Sequence, residues 1–160
     1  MKICFKLNGQ AVKVDVDPLQ PLLHTLRERL GMTSAKQGCG EGECGSCSII
    51  MDNQLVNTCL IPTIQAKGTA LVTLEGLRDT PKGLCVIDAL LEAKGVQCGF
   101  CSPAMVLALY HLLDNRVCAS ITPTDKQIRE ALAGNLCRCT GYAMIVEAGK
   151  IAARKGEGLW

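Results

Sequence analysis

In the first half of the chain, apolar residues recur at every second position. Ile3, Phe5 and Leu7 are spaced around Lys6, and Val12, Val14 and Val16 alternate with Lys13 and Asp15. A period of two is that of a half-buried strand, and Asn8-Gly9 between the runs is a hairpin signal. From Leu22 to Leu30 the period changes. Leu22, Leu23, Leu26 and Leu30 share one helical face, and Gly31 marks its stop. Ser48 to Met51 and Leu55 to Thr58 read as two short strands around a turn at Asp52-Asn53, and Ala70 to Leu74 as a further strand ending at Glu75-Gly76. Arg78 to Gly83 reads as a polar linker, after which strand signals stop. Four helices are predicted beyond it. Val86 to Lys94 is stopped by Gly95, and Met105 to Leu113 lies behind Ser102 as N-cap and Pro103 at the first helical position. Asp125 to Ala133 follows Thr122-Pro123-Thr124 and closes at Gly134, and Met144 to Arg154 is amphipathic. Gly156 to Trp160 reads as a loose tail.

Two strands, a helix and more strands describe a β-grasp layer, and four short helices describe a small bundle. The predicted fold is therefore α+β, with a β-rich domain over 1–77 and a helical domain over 78–160. A length of 160 residues suits one compact domain or two small ones. Only 3% of the residues are aromatic, so the core must be built from Leu, Ile, Val, Ala and Met. The net charge of +2 gives no electrostatic signature for nucleic acid or an anionic membrane. No stretch reaches the ~18 apolar residues of a membrane span.

Cysteine count changes the picture most. Eleven is an odd number and argues against a closed set of disulfides. Met1-Lys2-Ile3 runs straight into a strand pattern without a secretory signal, so the expected location is the cytoplasm, where cysteines usually mean metal or redox chemistry. Cys39, Cys44 and Cys47 follow the C-x4-C-x2-C order of a plant-type [2Fe–2S] site, with Gly38, Gly40, Gly42 and Gly45 among them. Glycine lets a loop take positive φ and bring its N–H groups close to sulfur. The hairpin that follows returns Cys59 to the side of Cys47. A second constellation, Cys98-Gly99-Phe100-Cys101 with Cys137-Arg138-Cys139, falls just before two predicted helices, whose free N–H groups favour thiolate charge. Zinc also takes four thiolates at C-x2-C spacing, so at this point both metals stay open.

Three segments, KQGCGEGECGSC, QCGFCSP and GNLCRCTGY, resemble the small iron–sulfur subunit of bacterial molybdenum hydroxylases, the xanthine dehydrogenase family. The resemblance covers the chain from its first strand to about Arg154. It implies a plant-type ferredoxin-like domain followed by a four-helix-bundle [2Fe–2S] domain, and two [2Fe–2S] clusters. Cys39, Cys44, Cys47 and Cys59 would hold the cluster nearer the flavin. Cys98, Cys101, Cys137 and Cys139 would hold the one nearer molybdenum, with Gln97 and Cys139 approaching the molybdopterin. The implied partners are a large molybdopterin subunit and a medium FAD subunit, in a heterotrimer or a dimer of heterotrimers. The implied task is to relay electrons one at a time from molybdenum to FAD, for a complex acting on a purine or other N-heterocycle. Ser46, Ser48 and Ala104 depart from the residues frequent in that family, at positions that are not ligands.

The chain carries no Gly-rich phosphate loop and no acid–base pair, so no residue of its own is expected to be catalytic. A free-standing ferredoxin-like carrier and a zinc-organised interaction module are the rival readings. Cys4, Cys85 and Cys118 are expected as small buried hydrophobes. His24 and His111 read as packed or surface side chains, Met105 and Met144 as core fillers, and Phe100 as a cover over its own cluster. Arg138 reads either as a partner of charge or as a solvated arginine.

Overall fold

The computed structural model describes residues 1–115 and 122–160; Cys118 lies outside them. Strands β1 (Lys2–Leu7) and β2 (Gln10–Asp15) pair antiparallel, from Lys2 opposite Asp15 to Leu7 opposite Gln10. Asn8 and Gly9 take the positive φ of +51° and +83° that the hairpin turn requires. β3 (Ser48–Met51) and β4 (Gln54–Asn57) form a second hairpin, with Asp52 and Asn53 at +46° and +63°. β5 (Ala70–Val72) joins the hairpins by running parallel to β1 and antiparallel to β3, giving the order β2-β1-β5-β3-β4.

Where a helix is predicted over Leu22–Leu30, the chain makes one α-helical turn, α1 (Leu22–His24), and then widens into a π-helical turn over Thr25–Arg29. Thr25 is fully buried, with its hydroxyl bonded to Thr63 Oγ1 at 2.8 Å and to Gln20 Nε2 at 2.6 Å. Those bonds tie the turn to its neighbours while Leu22, Leu23 and Leu26 stay in the core. The last predicted strand is shorter than expected, because Leu74 already opens α2 (Leu74–Leu77). The expected linker shrinks as well. The Thr80 hydroxyl accepts the Gly83 N–H at 3.1 Å and Pro81 occupies the first turn, so α3 (Pro81–Glu92) starts inside it.

α4 (Ser102–Asp114) has Cys101 as its N-cap, one residue earlier than expected. α5 (Asp125–Leu132) opens on a capping box between Thr124 and Gln127, and α6 (Ala143–Lys155) closes the helical half. Gly156 to Trp160 is no loose tail. The Trp160 indole donates to Ala152 O at 3.3 Å and meets the Tyr110 ring edge-on at 6.3 Å, with Lys82 Nζ 5.8 Å from its ring centre.

Two apolar cores lie on opposite faces of β3. Ile49 joins Ile3, Phe5, Leu7, Leu22, Leu26 and Leu71, whereas Ile50 joins Val86, Met105, Leu109, Ile128 and Ile145. Successive strand residues point to opposite faces, so one strand can seal both cores. Its continuous burial follows from that position. No described helix is long and apolar enough to cross a membrane.

Candidate metal centre

The first cysteine loop is shaped by its glycines. Gly40, Gly42 and Gly45 have φ of +77°, +83° and +66°, and a Cβ on Gly38 would stand 2.7 Å from Cys44 Sγ. The loop turns its main-chain donors inward. Cys39 Sγ accepts N–H groups of Glu41 at 3.4 Å, Glu43 at 3.3 Å and Cys44 at 3.4 Å, and Cys44 Sγ accepts the Cys39 N–H at 3.4 Å. The Glu41 and Cys44 N–H groups draw the Cys39 thiol down to about 7. Burial pushes Cys47 up to about 11, against the Cys59 N–H that it accepts. The hairpin brings Cys59 back as expected: Thr58 donates its N–H to Cys47 O at 3.5 Å and its hydroxyl to the same oxygen at 2.8 Å.

The second constellation is assembled from two distant segments. Cys98 and Cys139 have their sulfurs 3.7 Å apart, and both are exposed. Cys101 lies within hydrogen-bonding reach of Cys137, and burial together with that neighbour pushes its thiol up to about 12. Burial also opposes ionisation of Cys137. The Thr140 hydroxyl at 3.2 Å and the N–H groups of Thr140 and Cys139 outweigh it and bring that thiol down to about 7. Cys139 is raised by its contact with Cys98. Tyr142 holds a left-handed φ of +68° while its phenol oxygen accepts the Cys137 N–H at 2.8 Å. Such a conformation costs a bulky residue about 1–3 kcal/mol, a cost that clusters where a site needs a fixed geometry.

The thiols are therefore grouped two by two: Cys39 with Cys44, Cys47 with Cys59, Cys98 with Cys139, and Cys101 with Cys137. A zinc site draws four ligands to one point, whereas a [2Fe–2S] cluster spreads four thiolates over two irons. The donor chemistry fits the iron cluster.

The two constellations touch. Leu136 donates its N–H to Cys44 O at 2.9 Å, one residue before Cys137. Asn135, 2% exposed, donates to Gly45 O at 3.0 Å and to Ser48 Oγ at 3.2 Å. A Cβ on Gly45 would stand 2.1 Å from Gly134 O, so only glycine permits this approach. Asn135, Thr140 and Tyr142 escaped the sequence reading, although GNLCRCTGY contains all three. Their roles lie in contacts across the fold that no local pattern carries.

Other expectations need correction. Cys4 is exposed and Cys85 half-buried, Cys4 lying on the alternate face of β1 from Ile3 and Phe5. Met105 is a core residue, but Met144 is 40% exposed at the start of α6. Phe100 is 44% exposed, and its ring edge would lie 3.7 Å from a Cβ placed on Gly38 of the first loop. His111 agrees with its expected packed or surface role: it is half-buried, with its ring 3.1 Å from Asn53 O. Gln97 and Arg138 are exposed.

Fold and thiol pairing define a protein with one iron–sulfur region in each half. The 2Fe-2S iron-sulfur cluster binding domain family matches residues 5–69, and the [2Fe-2S] binding domain family matches residues 73–150. The chain is 42% identical over 153 residues to the nicotinate dehydrogenase small FeS subunit of Eubacterium barkeri, covering 96% of this chain and 95% of that one. It is 43% identical over 142 residues to a probable xanthine dehydrogenase subunit of Bacillus subtilis (strain 168), covering 89% and 79%. A chain of quinoline 2-oxidoreductase from Pseudomonas putida 86 superposes with a TM-score of 0.86 at 37% identity, covering 98% of both. The protein belongs to the family of small [2Fe–2S] subunits of molybdenum hydroxylases, and its work is electron transfer within an oxidoreductase complex.

Proposed function

We propose that the chain relays electrons singly from a molybdopterin centre to FAD, each held by a partner subunit. Cys98, Cys101, Cys137 and Cys139 hold the cluster nearer molybdenum, and Cys39, Cys44, Cys47 and Cys59 the one nearer the flavin. A plant-type ferredoxin-like domain over 1–77 precedes a helical cluster domain over 78–160. When bound, each cluster accepts one electron and passes it on. The protein's part is to fix spacing, potential and access. Main-chain N–H groups around Cys39 and Cys44 favour negative charge on the first set, and burial at Cys47 and Cys101 keeps water away from one side of each. The bond from Leu136 N–H to Cys44 O supplies a short through-bond route between the sets.

The observation that carries this reading is the pairing of thiols two by two in both halves. Exposure of Gln97, Cys98 and Cys139, beside the exposed apolar Val96, Phe100 and Leu136, supports a docked partner at the second set and a pterin approached by Gln97 and Cys139. We assign the partners as a large molybdopterin subunit and a medium FAD subunit, in a heterotrimer or its dimer. The relatives named for nicotinate, xanthine and quinoline all act on N-heterocycles, which supports that substrate class for this complex. We place the complex in the cytoplasm, where a chain with eleven cysteines finds the reducing conditions that keep thiolates available as ligands. The test is metal analysis with EPR of the fully reduced native complex. About four irons per chain and two distinct [2Fe–2S] signals are expected; fewer irons, or one kind of signal, would overturn the relay. A free-standing carrier would instead elute alone on size exclusion from native cells.

A further inference from the structure

We propose that the Thr140 hydroxyl tunes the reduction potential of the second cluster, and that Tyr142 is the positioning residue that aims it. The proposal rests on the assignment of Cys137 as a ligand of that cluster. Thr140 Oγ1 donates to Cys137 Sγ at 3.2 Å. The same oxygen accepts the Tyr142 N–H at 3.3 Å. That bond fills a lone pair and turns the hydroxyl proton toward sulfur. Tyr142 can make it because its φ of +68° folds the main chain back over Thr140, and its phenol oxygen, 2.8 Å from Cys137 N, pins the other end of the loop. The tyrosine also takes the Cys137 N–H for itself, and the Thr140 hydroxyl adds a side-chain donor to the Thr140 and Cys139 N–H groups at this sulfur.

The first set is built differently. Cys39 Sγ accepts three main-chain N–H groups, which no substitution other than proline deletes. A hydrogen bond donated to a ligand sulfur stabilises the reduced, more negative cluster and raises its potential. Removal of the Thr140 hydroxyl should therefore lower the second midpoint and leave the first alone.

The experiment is an EPR-monitored redox titration of the assembled, cluster-loaded complex, with iron counted in every variant. In Thr140→Val, which keeps the shape, one of the two midpoints shifts to a more negative value at full iron content. Thr140→Ser, which restores the hydroxyl, returns it to the wild-type value. A Thr140→Val protein with both clusters and both midpoints unchanged overturns the proposal. Thr140→Ala repeats the measurement if valine is not accommodated. Loss of the second cluster in both Thr140→Val and Thr140→Ala would make the hydroxyl a retention element and overturn tuning. Absence of two distinct centres in the wild-type complex would sink the relay itself, a separate failure read before any variant is made.

Discussion

The two cysteine constellations solve the same chemical problem with different materials. The first is nearly local: Cys39 to Cys59 span 20 residues, and a glycine-rich loop with one hairpin gathers them. Its sulfurs are solvated by the loop's own amides. The second joins Cys98 to Cys139 across 41 residues, and only the packing of α4, α5 and α6 brings the ends together. It adds a threonine hydroxyl and a left-handed tyrosine to the backbone donors that serve the first alone. A local site depends on loop sequence; a non-local one depends on the fold around it. By loop closure, a cluster bridging twice the chain length stabilises its half by only about 0.6 kcal/mol more, so folding order and donor type should separate the sites more than stapling energy does.

The widest expected contrast comes from removing one ligand on each side. Cys47→Ser and Cys137→Ser should each reduce iron from about four to about two per chain. Thermal unfolding of each variant should then start in the half that lost its cluster, with the larger fall for Cys137→Ser, because its two segments have no hairpin to hold them. Complete removal of iron should lower the midpoint of both halves. Equal midpoints for apo and holo protein would end the idea that the clusters brace the fold.

Gly45→Ala tests whether the two sites share one rigid seam. The new Cβ would meet Gly134 O at 2.1 Å in a conformation, φ +66°, that side chains rarely adopt. A loss above about 2 kcal/mol is expected. Asn135→Ala attacks the same seam from the other side, removing its bonds to Gly45 O and Ser48 Oγ, which stay bonded to each other; about 0.5–1.5 kcal/mol per lost bond is expected. Since both substitutions break one contact, the double variant should cost less than the sum of the singles. Strict additivity in denaturant unfolding would show that the sites are braced independently.

The seam shows where the sequence stops being informative. Period-two runs, hairpin turns and cysteine spacing are written in neighbouring residues, and they place the strands, the helical half and the candidate ligands. Two more local signals are legible but easily missed: Thr80-Pro81 is an N-cap followed by proline and starts a helix inside the expected linker. Leu74 likewise begins a turn rather than ending a strand. Asn135 is a different matter, because its meaning lies in Gly45 and Ser48, 90 and 87 residues away. Nor does the sequence show Trp160 as anchored, since its partners Tyr110, Lys82 and Ala152 sit on three different helices. Nor does sequence show that the Phe100 ring comes near Gly38 of the first loop, 62 residues away.

A gentler probe asks how far the first site relies on the short helix α2 for support. Glu75, in α2, accepts the Ser34 N–H at 2.8 Å and the Ser34 hydroxyl at 2.6 Å, fastening the segment that leads into the cysteine loop. Burial pushes its carboxyl up, but the Ser34 donors and Thr73 outweigh burial and hold it below the ordinary 4.5. A carboxylate lowered by folding adds stability above its unfolded value and loses it as pH falls through the folded one. The Glu75 contribution should thus be complete at neutral pH and fade below about pH 4.5. Glu75→Gln should cost about 1 kcal/mol at pH 7, modest because the group is partly solvated, and the gap to wild type should close in acid. Urea unfolding of both proteins from pH 7 to pH 3.5 measures that gap. A difference that stays constant with pH would mean that the charge on Glu75 does not hold the loop, and that the first site is as self-contained as its sequence suggests.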